Sequence, residues 1–310
     1  MKGFIHKNKG SVTLLIIFLS AIILTVGLSF NWLIKEYIKN SQAFKEKNEA
    51  ILKAYSTFNK LIYLILNSKF NNKEIILPKE ENLTELKYLP LNGTKIKFEE
   101  NVYIELMDSN GLISLTTIHL PALERLIKNL TGKEDVSSIM DAILDWLDPD
   151  ELVRLNGAEA FTYKEEGYPY TPRNYAFQYK EEILLIKGIG EELYKKISPY
   201  ITILPNTGFN PNTAPDEVLK AYLNLNEKTL RNIKNYLLNN NTISSITTLF
   251  GLTGSYIYSK EENILFFPSY LIDLKLYITS FNNTIYTIKT GIDLKPNLYF
   301  PYSIIYWKEE

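Results

Sequence analysis

The chain has 310 residues, 45% hydrophobic and 22% charged, with 34 basic side chains against 35 acidic ones and a formal net charge of −1. That is enough for a real core and two lobes, while the near-neutral balance argues against a nucleic-acid partner, which leaves a basic footprint. Zero cysteine excludes a disulfide framework, thiolate metal sites and cysteine catalysis, and it says little about compartment.

The first element is an apolar run. After Lys2, Lys7 and Lys9, no charge appears from Ser11 to Ile34, a stretch of about 36 Å as a helix, enough for a hydrocarbon core of about 30 Å. The run is too long for a secretory signal peptide, and no small-x-small cleavage site follows it. The segment is therefore expected to stay with the protein as a membrane span over 11–34, with the leading lysines favouring a cytoplasmic N-terminus and the bulk of the chain outside the cytoplasm. Neither proline nor glycine occurs from Lys35 to Ser68, and Ile51, Ala54, Tyr55, Phe58, Ile62 and Ile65 keep helical spacing. One helix over 11–68 is predicted, apolar all round at first and amphipathic later.

Strand signals follow over 69–120. Ile96, Phe98, Val102, Ile104 and Leu106 partly alternate, and Asp108–Gly111 reads as a turn. From 121 to 265 the pattern is helical, with Pro, Gly and Asn in the connections. From 266 to 310 the period returns to two: "YLIDLKLYITSF" and "TIYTIKTGIDL" flank "NN" as a hairpin, and "SIIYW" reads as a last strand. The fold class predicted is α+β: a long N-terminal helix, a small antiparallel sheet completed by the C-terminus, and an inserted all-helical domain.

The densest polar cluster is "DAILDWLDPDELVRLNGAEAFTY". Asp145, Asp148 and Asp150 surround a helix end at Pro149, and Glu159 follows a glycine turn. Carboxylates without His or Cys suit a hard, oxygen-ligated cation, calcium before magnesium, although no EF-hand loop is present. The same residues also fit a solvated acidic helix end, with Asp150 and Glu151 capping, or a paired-carboxylate hydrolase. The nearest histidine, His119, falls at an expected strand end, which gives acid–base chemistry little support. A second motif, "LLIKGIGEELYKKI", resembles a helix-hairpin-helix, where amides at a glycine turn hold a DNA phosphate; Glu191 and Glu192 beside those amides would repel one. Hence the alternative reading, a membrane-anchored DNA-binding protein of competence type.

These features together resemble the K-type minor pseudopilin family of the bacterial type II secretion system. "MKGFIHKNKG" is similar to a prepilin leader, 1–10, which implies cleavage after Gly10 by prepilin peptidase and an N-methylated Ser11. Most such proteins carry glutamate at the fifth mature position; here it is Leu15, a departure characteristic of the K subunit that fits a filament tip with no subunit above to partner a buried carboxylate. "MDSNGLISL", "DWLDPD…NGAEAFTY", "YTPRNYAF" and "FNPNTAP" resemble further family segments, the insertion being SAM-like. The resemblance implies a non-enzymatic inner-membrane protein with a periplasmic body that acts in initiating pseudopilus assembly. It implies I- and J-type minor pseudopilins, the inner-membrane platform and secreted substrate as partners, and calcium at Asp145, Asp148, Asp150 and Glu159.

Overall fold

The computed structural model describes residues 11–79, 83–239, 241–254, 264–280, 283–295 and 297–310. The leader and Gly10 lie outside them. By its internal packing the chain divides into two units, Met1–Lys53 and Ala54–Glu310.

The first unit holds most of α1 (Ser11–Leu66). This helix is long and apolar enough to cross a membrane. The hydroxyls of Ser20, Thr25 and Ser29 donate to the carbonyls of Ile17, Ile22 and Thr25 at 2.8–2.9 Å. Each is thereby satisfied within the helix, as a hydrocarbon surrounding requires. Leu15 is exposed.

In the second unit, the last turns of α1 bury Ala54, Phe58, Leu61, Ile62 and Ile65, spaced three and four apart. They cover one face of an antiparallel sheet of order β10-β9-β8-β5-β4. Its strands are β4 (Ile96–Glu99), β5 (Val102–Asp108), β8 (Leu271–Ser280), β9 (Asn283–Asp293) and β10 (Ser303–Glu309). The period-two pattern makes this face apolar: Ile104, Leu276 and Ile288 stand opposite one another in register and are fully buried. Trp307 on β10 packs edge-on against Phe58 of α1 at 4.9 Å and stacks on Tyr55 at 5.7 Å. The other face carries the alternate residues, among them Glu105, Lys275 and Lys289. The earlier strand signals do not join this sheet. β1 (Lys69–Phe70), β2 (Glu74–Ile76) and β3 (Tyr88–Pro90) pair only with one another.

Between β5 and β8 lies the helical block. β6 (Ile113–Ser114) runs parallel to β7 (Ile201–Thr202). Around one apolar core sit α2 (Leu120–Thr131), α3 (Ser137–Leu147), α4 (Ala160–Glu165), α5 (Glu191–Ile197), α6 (Asp216–Leu223), α7 (Glu227–Leu238) and α8 (Ile246–Thr253). α2 carries Pro121 in its first turn and is closed by Gly132, whose φ of +69° is the left-handed stop glycine accepts without strain. His119 is not at a strand end: it is the N-cap of α2, its Nδ1 accepting from the Ala122 amide at 3.2 Å, and its ring stacks on Tyr222. The stretch read as helical from 180 to 200 breaks into a 3-10 turn (Lys180–Leu185), a reversal at Gly188 (φ +86°), α5, and a second 3-10 turn (Ser198–Tyr200). Pro199 lacks the amide a continuing helix would need.

One buried carboxylate ties these parts together. Asp108, at the end of β5, is inaccessible to solvent. Its Oδ1 accepts from the Asn110 amide (3.1 Å) and from the Ser269 amide and hydroxyl (2.8 and 2.7 Å); its Oδ2 accepts from Asn210 Nδ2 (3.2 Å) and Thr213 Oγ1 (2.9 Å). The "DSNG" turn, the "NPNTAP" segment and the entry to β8 thus meet at a single side chain.

Candidate metal centre

The acidic cluster is built by the end of one helix and the loop leading to the next. α3 is amphipathic, and its inward face places Asp145 among Ala142, Ile143 and Trp146. Pro149 stops the helix, and Asp148, its C-cap, is already extended (ψ 156°). The loop then folds on side-chain oxygens. Asp150 Oδ1 accepts from the Leu152 amide at 2.8 Å, Asp145 Oδ2 from the Arg154 amide at 3.2 Å, and Asp141 Oδ2 from the Asn156 amide at 3.0 Å. Glu159 follows as the residue before α4, and its side chain makes no capping bond.

Asp148, Asp150 and Glu159 are brought together, one carboxylate oxygen of each lying within 4.8 Å of the others. Asp145 stands beside them, fully buried, held by the Arg154 guanidinium at 2.6 Å; the same Arg154 nitrogen also donates to Asp148. The hydrogen bonds that Arg154 donates to Asp145 and Asp148 raise its pKa and keep it charged. Gly157 lies against Asp145: a Cβ there would come within 1.9 Å of Oδ2.

The balance remains incomplete. Both oxygens of Glu159 are buried without a hydrogen-bond partner among the described residues, as are Asp148 Oδ1 and Asn174 Oδ1. Burial, then the charges of Asp145, Asp148, Glu151 and Asp150, push Glu159 up from 4.5 to about 7. A carboxylate that is 3% exposed and carries no donor is a costly arrangement unless it is protonated or meets a cation. The donor set fits a hard divalent ion: all oxygen, three carboxylates, and irregular spacing of the kind calcium accepts.

Aromatic rings wall the site. Tyr163 packs edge-on to Trp146 and beside Tyr168 and Tyr170, and its hydroxyl accepts from the Lys187 amide at 2.8 Å. Asn174, in the left-handed region (φ +54°), donates to the Asp150 carbonyl at 3.2 Å and Glu151 Oε1 at 3.0 Å. The carboxylates and the glycine turn before Glu159 are visible in the sequence, whereas Arg154 and Asn174 leave no local signal.

The titration of Glu159 gives a pH prediction for the metal-free protein. Its folded pKa lies above the unfolded value, so the stability linked to its protonation is full below about 4.5 and is lost as the pH rises to about 7. The chelated full chain in detergent is expected to melt progressively lower across that window, and Glu159→Gln to flatten the slope. A wild-type melting temperature that rises from pH 4.5 to 7 would contradict the assignment.

Comparisons with known proteins bear on what carries this site. Residues 91–206 match the family described as "Type II secretion system (T2SS), protein K". The chain is 29% identical over 149 residues to the type II secretion system protein K of Pectobacterium carotovorum subsp. carotovorum, an alignment covering 46% of this chain and 45% of that protein. It is 32% identical over 87 residues to the putative type II secretion system protein K of Escherichia coli K12, covering 28% and 27%. The chain thus spans less than half the length of these curated relatives in the aligned parts. Among solved structures, a chain of the GspK-GspI-GspJ complex from enterotoxigenic Escherichia coli shares the fold, with a TM-score of 0.56, 16% identity, and coverage of 89% of this chain and 98% of that one.

Proposed function

Taking the protein K domain of type II secretion at residues 91–206 as the premise, we propose that the chain is a minor pseudopilin acting in protein secretion, anchored in the inner membrane by α1 and assembled with I- and J-type minor pseudopilins. The observation that carries this reading is that match, which takes in β4, β5 and the whole acidic loop. The fold likeness to a chain solved with GspI and GspJ supports the choice of partners. The role is structural: the chain sits at the filament tip, where Leu15 needs no partner from a subunit above, and initiates assembly on the inner-membrane platform, with secreted protein as its cargo. The competence-type reading is not favoured. The isoleucines around its glycine turn, Ile183, Ile186, Ile189 and Ile197, are buried in the core, while Glu191 and Glu192 lie exposed at the start of α5.

Co-expression with I- and J-type pseudopilins and prepilin peptidase tests the proposal. The full chain is expected to be recovered in a ternary complex, beginning at Ser11, with Leu15→Glu giving no gain in assembly. An intact Met1, or a chain that co-purifies with neither partner, would overturn it.

Calcium belongs to the same reading, held by Asp148, Asp150 and Glu159 with Asp145 beside them, and it would supply the positive charge that lets Glu159 ionise. A ligand at about 100 times its dissociation constant adds roughly 2.7 kcal/mol to stability. The full chain in detergent should therefore melt higher in calcium than in chelator. Asp148→Ala should remove most of that difference and Glu191→Ala none. Equal melting temperatures would leave an acidic helix end, and a larger response to magnesium would reject calcium as the ion.

A further inference from the structure

On the sheet face turned away from α1, a cavity of about 610 Å³ opens between β5, β8, β9 and β10 and the 180–203 segment of the helical block. Its floor is unusual in charge. Lys289 stands directly opposite Lys275 on β8 and Lys308 on β10, so three lysines form one row across the sheet. Like charges placed directly opposite cost stability in a sheet. Each of the three is paired: Lys275 with Glu105 at 3.1 Å, Lys289 with Glu310 at 2.7 Å, and Lys308 with Glu181 at 2.8 Å and with Glu310 at 2.9 Å.

A fourth lysine, Lys180, lines the same cavity from the helical block. Its ammonium donates to the Ser198 carbonyl at 2.9 Å and forms no ion pair among the described residues. The carboxylate that lines the cavity nearby, Asp273, is already engaged by the hydroxyls of Thr202 (2.7 Å) and Tyr306 (2.5 Å). An ammonium has three donors, so two remain for a ligand. The phenols of Tyr194 and Tyr200, also on the wall, hydrogen-bond to no described residue.

We propose that this cavity is a binding site for a carboxylate-bearing ligand, the end or acidic side chain of a polypeptide, held by Lys180 with Tyr194 and Tyr200 as further donors. A carboxylate is the group that neutralises every other lysine here, and among the described residues none lies within ion-pair distance of Lys180. Burial holds Lys180 below the usual ammonium range in spite of the opposing pull of Asp273 and Glu181. The volume lies within the range of sites that enclose a small ligand or a short peptide end.

Calorimetry on the full chain in detergent tests this with four probes: acetyl-Ala-Ala with a free C-terminal carboxylate, its C-terminal amide, acetyl-Glu-amide, and inorganic phosphate. One of the two carboxylate probes is expected to bind saturably, and the tighter one identifies a chain end or a side chain as the source. The amide should bind roughly tenfold more weakly or worse, and Lys180→Met should weaken the carboxylate by a similar factor, as loss of a charge-assisted hydrogen bond does. Should that variant fail to fold, Tyr200→Phe carries the test, because it keeps the shape of the wall and removes one donor. Absence of saturable carboxylate binding, equal affinity for the amide, tighter binding of phosphate, or unchanged affinity in the folded variants would overturn the proposal.

Discussion

Asp108→Ala is expected to lower the stability of the folded body by about 3–5 kcal/mol, because several buried donors would lose their one shared acceptor. Alanine would leave the amides of Asn110 and Ser269, the hydroxyls of Ser269 and Thr213, and the Asn210 carboxamide without their acceptor. Each stranded donor carries a desolvation cost of about 1–3 kcal/mol, moderated where a residue can turn to another partner. Ser269, for instance, also lies 2.9 Å from the Ser109 hydroxyl. Asp108→Asn keeps the shape but offers a single oxygen and two new donors, so it should fall between wild type and alanine. Urea unfolding of the full chain in detergent checks this, and an alanine variant within about 1 kcal/mol of wild type would refute a central role for the residue.

Gly157→Ala should be the most damaging single methyl in the acidic loop. The new carbon would overlap Asp145 Oδ2 and come within 2.8 Å of the carboxyl carbon. Asp145 cannot yield easily, because it is buried and fixed by both the Arg154 amide and its guanidinium. Overpacking at such a point costs about 1–3 kcal/mol. The displaced Asp145 should also loosen Arg154 from Asp148 and reduce any stabilisation by calcium. Melting curves with and without calcium read both effects. A Gly157→Ala variant as stable and as calcium-responsive as wild type would mean that the loop does not depend on this contact.

How far the sequence foretold this depends on the range of each interaction. α1, the β8–β9 hairpin and β10 were legible because hydrophobic period and turn residues are local signals. The carboxylates were legible because Asp145, Asp148 and Asp150 lie within six residues of one another around one helix end. Arg154 was not, since nothing in its neighbours distinguishes an arginine folded back onto two aspartates from one in solvent. Asn174 likewise reaches Asp150 across an intervening helix, and Asp108 meets Asn210 and Ser269 only through the tertiary fold. His119 misled because a histidine after "TTI" suits a strand, whereas Pro121 at the second helical position makes it a cap. The separate β1–β3 sheet was missed because short strands of two or three residues carry no register information.

The pairing of β5 with β8 sets the order in which the chain can fold. Val102 finds Ile278 only after the whole helical block has been synthesised. Closing a loop on the order of 170 residues has an entropic cost that grows as the logarithm of its length, and it must be met before the sheet returns any burial. Early arrangement of the block, with β6 beside β7, shortens that loop by bringing residue 113 next to residue 201. The central strands therefore wait on distant sequence, and topologies of such high contact order acquire their sheets late and slowly. Until then β5 has an open edge and α1 an uncovered apolar flank, so a chain halted before β8 is a hazard for wrong association rather than a smaller working version of the protein.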